Sequence, residues 1–151
     1  MAKDNVFGYD KWMICPDGFC SVERDGEVVG FQIRMRIANY RGYILSQIED
    51  IRVEIDGEAI ERDAIRFSVG SRTYTLEQME SVVDDRWELR QVATVTCLKP
   101  GGIAPGKHAV QVEQHIRASY IPMVAVARSK TALVTGPTVP CAFHGSHGER
   151  Q

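Results

Sequence analysis

The stretch VGFQIRMRI, residues 29–37, decides how the rest of the chain is read. Val29, Phe31, Ile33, Met35 and Ile37 hold the odd positions, and Gly30, Gln32, Arg34 and Arg36 the even ones. Side chains of an extended strand point alternately to opposite faces. A period of two therefore predicts a strand with one buried and one polar face.

Downstream, the segment from Tyr43 to Asp56 carries a phase error. Ile51, Val53 and Ile55 alternate with Arg52, Glu54 and Asp56, but Ile44 and Ile48 sit on the other parity. One extra residue near Glu49-Asp50, a β-bulge, would return both sets to one face. Asp56-Gly57 then supplies the positive-φ pair of a tight hairpin. Ile65, Phe67 and Val69 predict a third strand, and Arg72 to Tyr74 a fourth. One helix is expected, capped by Thr75, with Gln78 as capping-box partner and Glu77 at its positive end, stopping near Val83. Ala93, Val95 and Cys97 alternate with Thr94 and Thr96 in another strand. Two Pro-Gly pairs between Lys99 and His108 mark a turn-rich connection. The last strong strand runs from His108 to Tyr120, with Val110, Val112, Ile116, Ala118 and Tyr120 on one row.

Short strands with turn signals about every ten residues predict an all-β fold: a single β-sandwich or jelly-roll-like domain with one short helix. Residues 121–134 are apolar without a clean period, and from Thr135 the composition turns to Gly, Pro, His and polar residues. The expected division is a sandwich body, 1–134, and a C-terminal tail, 135–151.

A chain of 151 residues can bury a core without staples. Its net charge of −2, from 18 basic and 20 acidic residues, gives no field to hold nucleic acid or an anionic membrane. No apolar run approaches the roughly 20 residues of a membrane span. Met1 to Phe7 lacks the apolar core of a secretory signal, so the expected location is cytoplasmic. In that compartment Cys15, Cys20, Cys97 and Cys141 are expected as free thiols.

No catalytic set emerges from the motifs. The sequence has no phosphate-binding Gly-rich loop, no nucleophile elbow and no His-Glu-x-x-His. Glu49-Asp50 and Asp84-Asp85 are strand or turn neighbours whose side chains diverge, so they read as solvated charges rather than an acid–base pair. Cys141, His144 and His147 have ligand chemistry, but their spacing matches no familiar zinc pattern, and no metal is assigned to them. Aromatic and arginine residues at turns are more informative. Tyr40, Arg41 and Tyr43 lie between two strands, Trp87 follows the helix, and Tyr120 and Met123 leave the last strand. These residue types give large contact areas at interfaces, which makes them candidates for a substrate pocket or partner surface. For Trp87 and Tyr120 a place in the core is an equal alternative.

An ordered set of short motifs resembles the β subunits of bacterial C-glycoside deglycosidases. It comprises Tyr40-Arg41-Gly42, Ile48-Glu49-Asp50, Val53 to Glu58, Ile65-Arg66-Phe67, Ser71 to Leu76, Arg86-Trp87-Glu88, Lys99 to Gly102, Pro105 to His108 and Arg117 to Pro122. The resemblance spans about residues 12–123; the four cysteines and the tail stand outside it. It implies a small β-sandwich subunit bound to a larger TIM-barrel α subunit. The substrate is a C-glycoside already oxidised to a ketone at sugar C3. Removal of the C2 proton and departure of the aglycone from C1 break the carbon–carbon bond by elimination. The base and a divalent metal, manganese, that stabilises the enolate oxygen belong to the large subunit. This chain is then inactive alone and binds no cofactor itself. A second reading is a stand-alone carbohydrate-binding β-sandwich module that stacks Tyr and Trp on sugar rings.

Overall fold

The computed structural model describes residues 12–39, 41–117, 124–135 and 141–142. Twelve strands and one helical turn follow in order: β1 (Cys20–Arg24), β2 (Glu27–Met35), β3 (Tyr43–Ile44), β4 (Ile48–Ile55), β5 (Glu58–Ala59), β6 (Ile65–Val69), β7 (Arg72–Thr75), α1 (Leu76–Met79), β8 (Arg86–Trp87), β9 (Ala93–Leu98), β10 (Lys107–Arg117), β11 (Val124–Val134) and β12 (Cys141–Ala142). They form a large sheet, β12-β1-β2-β9-β6-β7, a small sheet, β11-β10-β4-β5, and a two-stranded ribbon, β3-β8. Phe31, Ile33, Phe67, Val95 and Cys97 from the large sheet share one buried cluster with Ile51, Val53, Ile55, Val110 and Val112 from the small one. This is a β-sandwich, as the alternation in residues 29–37 implied.

The phase error in residues 43–56 resolves into two devices. A 3₁₀ turn, Leu45–Gln47, separates β3 from β4. In the β4–β10 ladder His115 pairs with Asp50 and Ile116 with Ile48, which leaves Glu49 as the extra, bulged residue. Ile48 and Ile51 are thereby both buried. Asp56 and Gly57 have φ of 50° and 84°, the left-handed pair that closes a two-residue hairpin in register with strand twist. Asp25 and Gly26, at 54° and 82°, do the same between β1 and β2.

Three expectations need correction. The helix is a single turn: Thr75 and Gln78 form the reciprocal cap at 3.0 and 2.8 Å, but the chain leaves after Met79. The carbonyls of Val82 and Asp85 are taken instead by the amides of Ser46 and Leu45, so ribbon contacts outcompete further helix. Residues 124–134, without a clean apolar period, are one long edge strand, β11. Its row that continues the inner residues of β10 reads Ala125, Ala127, Ser129, Thr131 and Leu133, while Val126 lies beside His115 on the outer row. Small and polar side chains suffice at the rim of the sandwich, so hydrophobicity does not mark the face. The outer row of the large sheet is also covered: Gln32, Thr94 and Thr96 are at most 6% exposed, although alternation marked them as solvent-facing.

The cysteines divide. Cys15 and Cys97 are free and buried. Cys20 is disulfide-bonded, against the expectation of reduced thiols. Burial pushes the Cys97 thiol far up, so it packs as a small apolar group. The described tail residues, Cys141 and Ala142, add a parallel strand beside β1, with Cys141 opposite Val22. Among the described residues no helix is long and apolar enough to cross a membrane.

His108 ties the Pro-Gly connection to the β4–β5 hairpin. Its Nδ1 lies 2.6 Å from an Asp56 carboxylate oxygen and its Nε2 2.7 Å from the Ala104 carbonyl. Both partners are acceptors, so both bonds form at once only when the ring carries two protons. The Asp56 hydrogen bond accordingly raises the His108 pKa, and the same bond, with the Ala109 amide, lowers that of Asp56. The signs define a window. The raised histidine adds stability below its ordinary pKa and loses it as pH climbs through the raised value. The lowered aspartate adds stability above its ordinary pKa and loses it as pH falls through the depressed value. The stability gap between wild type and His108→Gln should therefore be widest between about pH 4 and 6.5 and narrow on both sides, measured by urea unfolding across pH.

Candidate partner surface at the loop end of the sandwich

The segment after β2 is held from inside. Gln114 occupies an inward position of β10 and is fully buried. Its amide nitrogen donates to the Arg36 carbonyl at 2.8 Å, and its amide oxygen accepts from the Ala38 N–H at 2.8 Å. One side chain thus satisfies two backbone groups of a connection that has no ladder of its own. Asn39, also buried, accepts from the Tyr43 hydroxyl at 3.4 Å. Sequence reading passed over Gln114; the available signal was an amide standing in an otherwise apolar row.

Tyr43 and Trp87, candidates from separate parts of the sequence, are brought together: they pair directly in the β3–β8 ribbon. Gly42 makes this approach possible, because a Cβ there would lie 2.7 Å from the Trp87 carbonyl oxygen. Trp87 is fully buried, its ring edge-on to Phe67 with centroids 5.0 Å apart, and its indole N–H donates to the Gln91 carbonyl at 2.9 Å. Tyr43 is 2% exposed. Trp87 thus takes the core place that was its equal alternative, and the Tyr43 ring is likewise filled by the chain's own packing. Arg41 remains exposed, its guanidinium carbon 5.4 Å from the Tyr43 ring centroid, where the π face favours the cation. Tyr40, Tyr120 and Met123 lie outside the described residues.

A second polar constellation covers the outer face of the small sheet. Glu113, with its side chain 13% exposed, accepts from His115 at 2.9 Å and Arg128 at 2.8 Å. Its partial burial raises the carboxyl pKa, but these two hydrogen bonds and the nearby charges outweigh that and leave it lowered. Asp50 binds Arg52 at 3.0 Å, with Arg62 at 3.7 Å. Asp50, Arg52, Glu54, Arg62, Gln111 and Glu113 are among the residues lining a hollow of about 310 Å³. Asp50, Arg52, Arg62 and Glu113 are each engaged by an opposite charge, an arrangement that fixes those side chains rather than poising one for proton transfer. Among the described residues no aromatic ring lines the hollow. Elsewhere two of the expected solvated acids are paired, Glu49 with Arg117 at 2.6 Å and Asp85 with the Tyr74 hydroxyl at 2.8 Å, while Asp84 is exposed as expected. Among the described residues no three His, Cys, Asp or Glu side chains converge as metal ligands. His144 and His147 lie outside them.

The sequence profile of a family described as C-glycoside deglycosidase beta subunit matches residues 9–120. The C-glycoside deglycosidase beta subunit of Eubacterium cellulosolvens is 31% identical over 116 residues, covering 76% of this chain and 79% of its own length. The 3'-dehydrocarminate deglycosidase beta subunit of a Microbacterium species is 33% identical over 95 residues, 62% of this chain and 70% of its own.

Proposed function

This chain belongs to the C-glycoside deglycosidase beta subunit family, and on that premise we propose that it is the small subunit of a heteromeric carbon–carbon lyase. The observation that carries the proposal is family membership across most of the sandwich. The ion pairs that hold Asp50, Arg52, Arg62 and Glu113 on the small sheet support it: they suit a scaffold. The catalytic groups then reside on a large TIM-barrel subunit. The substrate class is a 3-oxo-C-glycoside. The ketone at C3 acidifies the C2 proton, a base of the large subunit removes it, and a C1–C2 double bond forms as the C1–aglycone bond breaks. The electron pair of that bond goes to the aglycone carbon, which takes up a proton. A divalent metal, manganese, on the large subunit would supply charge stabilisation of the enolate oxygen. The described residues of this chain offer no three-ligand set to hold it.

Of the described rings, Trp12 is 64% exposed, and those named as candidates do not favour the carbohydrate-binding reading. Trp87 and Tyr43 are in the core, and the hydroxyl of Tyr74 is bound to Asp85. Tagging this chain in its native host and identifying what copurifies separates the two. A stoichiometric isomerase-like protein supports the subunit; a lone glycan-binding monomer rejects it.

A further inference from the structure

The turn after β8 places an apolar side chain in water and holds it there. Leu89 is 45% exposed. One exposed leucine is ordinary by itself; the way this one is fixed is not. The Glu88 amide donates to the Gln91 side-chain oxygen at 2.9 Å, and the Gln91 amide returns to the Glu88 carbonyl at 3.1 Å. The buried Trp87 indole anchors the same turn through the Gln91 carbonyl. Arg90 completes it at φ 73°, a left-handed conformation that a side-chain-bearing residue seldom adopts. The chain therefore keeps a strained, three-bond turn whose tip contributes little to its own core.

A rigid apolar tip loses little freedom on binding, which is what raises affinity per unit of contact. Its surroundings fix the sign of the partner. Arg86 neutralises Glu88 at 3.0 Å. The antiparallel pairing of Tyr43 with Trp87 carries Gly42, which follows Arg41 in the chain, beside Glu88. Exposed Arg90 follows the leucine directly and exposed Arg41 stands one residue before Gly42, so the arginines near the tip give it positive charge.

We propose that Leu89, with Arg90 next to it and Arg41 near the same turn, is the plug that seats this subunit in its large partner, in an apolar socket rimmed by carboxylates. The proposal rests on the subunit reading above. It is tested with the full-length chain and the large subunit, measuring the dissociation constant and its salt dependence. Leu89→Asp should weaken the complex by about thirtyfold or more, the loss typical of a central anchor. Arg90→Glu should slow association about tenfold at low salt and less at high salt. Val134→Asp, at an exposed site (59%) at the far end of β10–β11, should stay within twofold. Thermal melts establish that each variant folds, and Leu89→Ser replaces Leu89→Asp if the latter does not. Failure of the wild type to bind any large subunit rejects the subunit reading itself. Wild-type binding that Leu89→Asp and Arg90→Glu leave within twofold overturns the plug alone. A homodimer that Leu89→Asp dissociates, with large-subunit binding unchanged, makes the occupant a second copy and also overturns it.

Discussion

Trp87→Ala is expected to remove about 3–5 kcal/mol of folding stability, a large part of the roughly 5–15 kcal/mol available to a domain. The side chain is fully buried, contacts Phe67 edge-on and closes the 88–91 turn through its indole N–H. Truncation therefore opens a cavity where the β3–β8 ribbon meets the large sheet and frees the Gln91 carbonyl. Trp87→Phe keeps much of the apolar volume but loses the N–H donor, and should cost less. Chemical denaturation measures both. A tryptophan reserved for partner contact would behave in the opposite way, with stability retained and only complex formation lost.

Gln114→Leu should be nearly as severe although it swaps a polar core residue for an apolar one of similar size. It leaves the Ala38 N–H and Arg36 carbonyl without a partner inside the protein, at about 1–3 kcal/mol each, partly offset by the better burial of leucine. The net expectation is about 2–4 kcal/mol. The position of the loss is as informative as its size. Amide exchange should accelerate at Ala38 and along the segment leading to Arg41 well before it does in β4 or β9. Uniform acceleration across the sandwich would mean that Gln114 does not pin this segment in particular.

These two residues mark where the sequence was legible and where it was not. Alternation in residues 29–37, the phase slip at Glu49, the Asp56-Gly57 hairpin and the Thr75–Gln78 cap are local signals, and each corresponds to a feature of the structure. β1 passed unread although Asp25-Gly26 is the same turn signal as Asp56-Gly57, because Cys20 to Arg24 carries little apolar alternation of its own. β11 was hidden because a rim strand needs no bulky inner row. The candidate residues were less legible. Tyr43 and Trp87 have interface chemistry, but a ribbon between residues far apart in sequence decides that they point inward, and no local pattern encodes that pairing. Gln114 and Leu89 reverse the usual cues, one a polar group buried to satisfy backbone, the other an apolar group held out in water.

Subunit function is tested most directly by reconstitution. This chain, its large partner and the two mixed at equal concentration would each be given a 3-oxo-C-glycoside and manganese, with aglycone release followed over time. The expected result is release from the mixture and none from this chain by itself. Sustained release by this polypeptide in the absence of any other protein would contradict it.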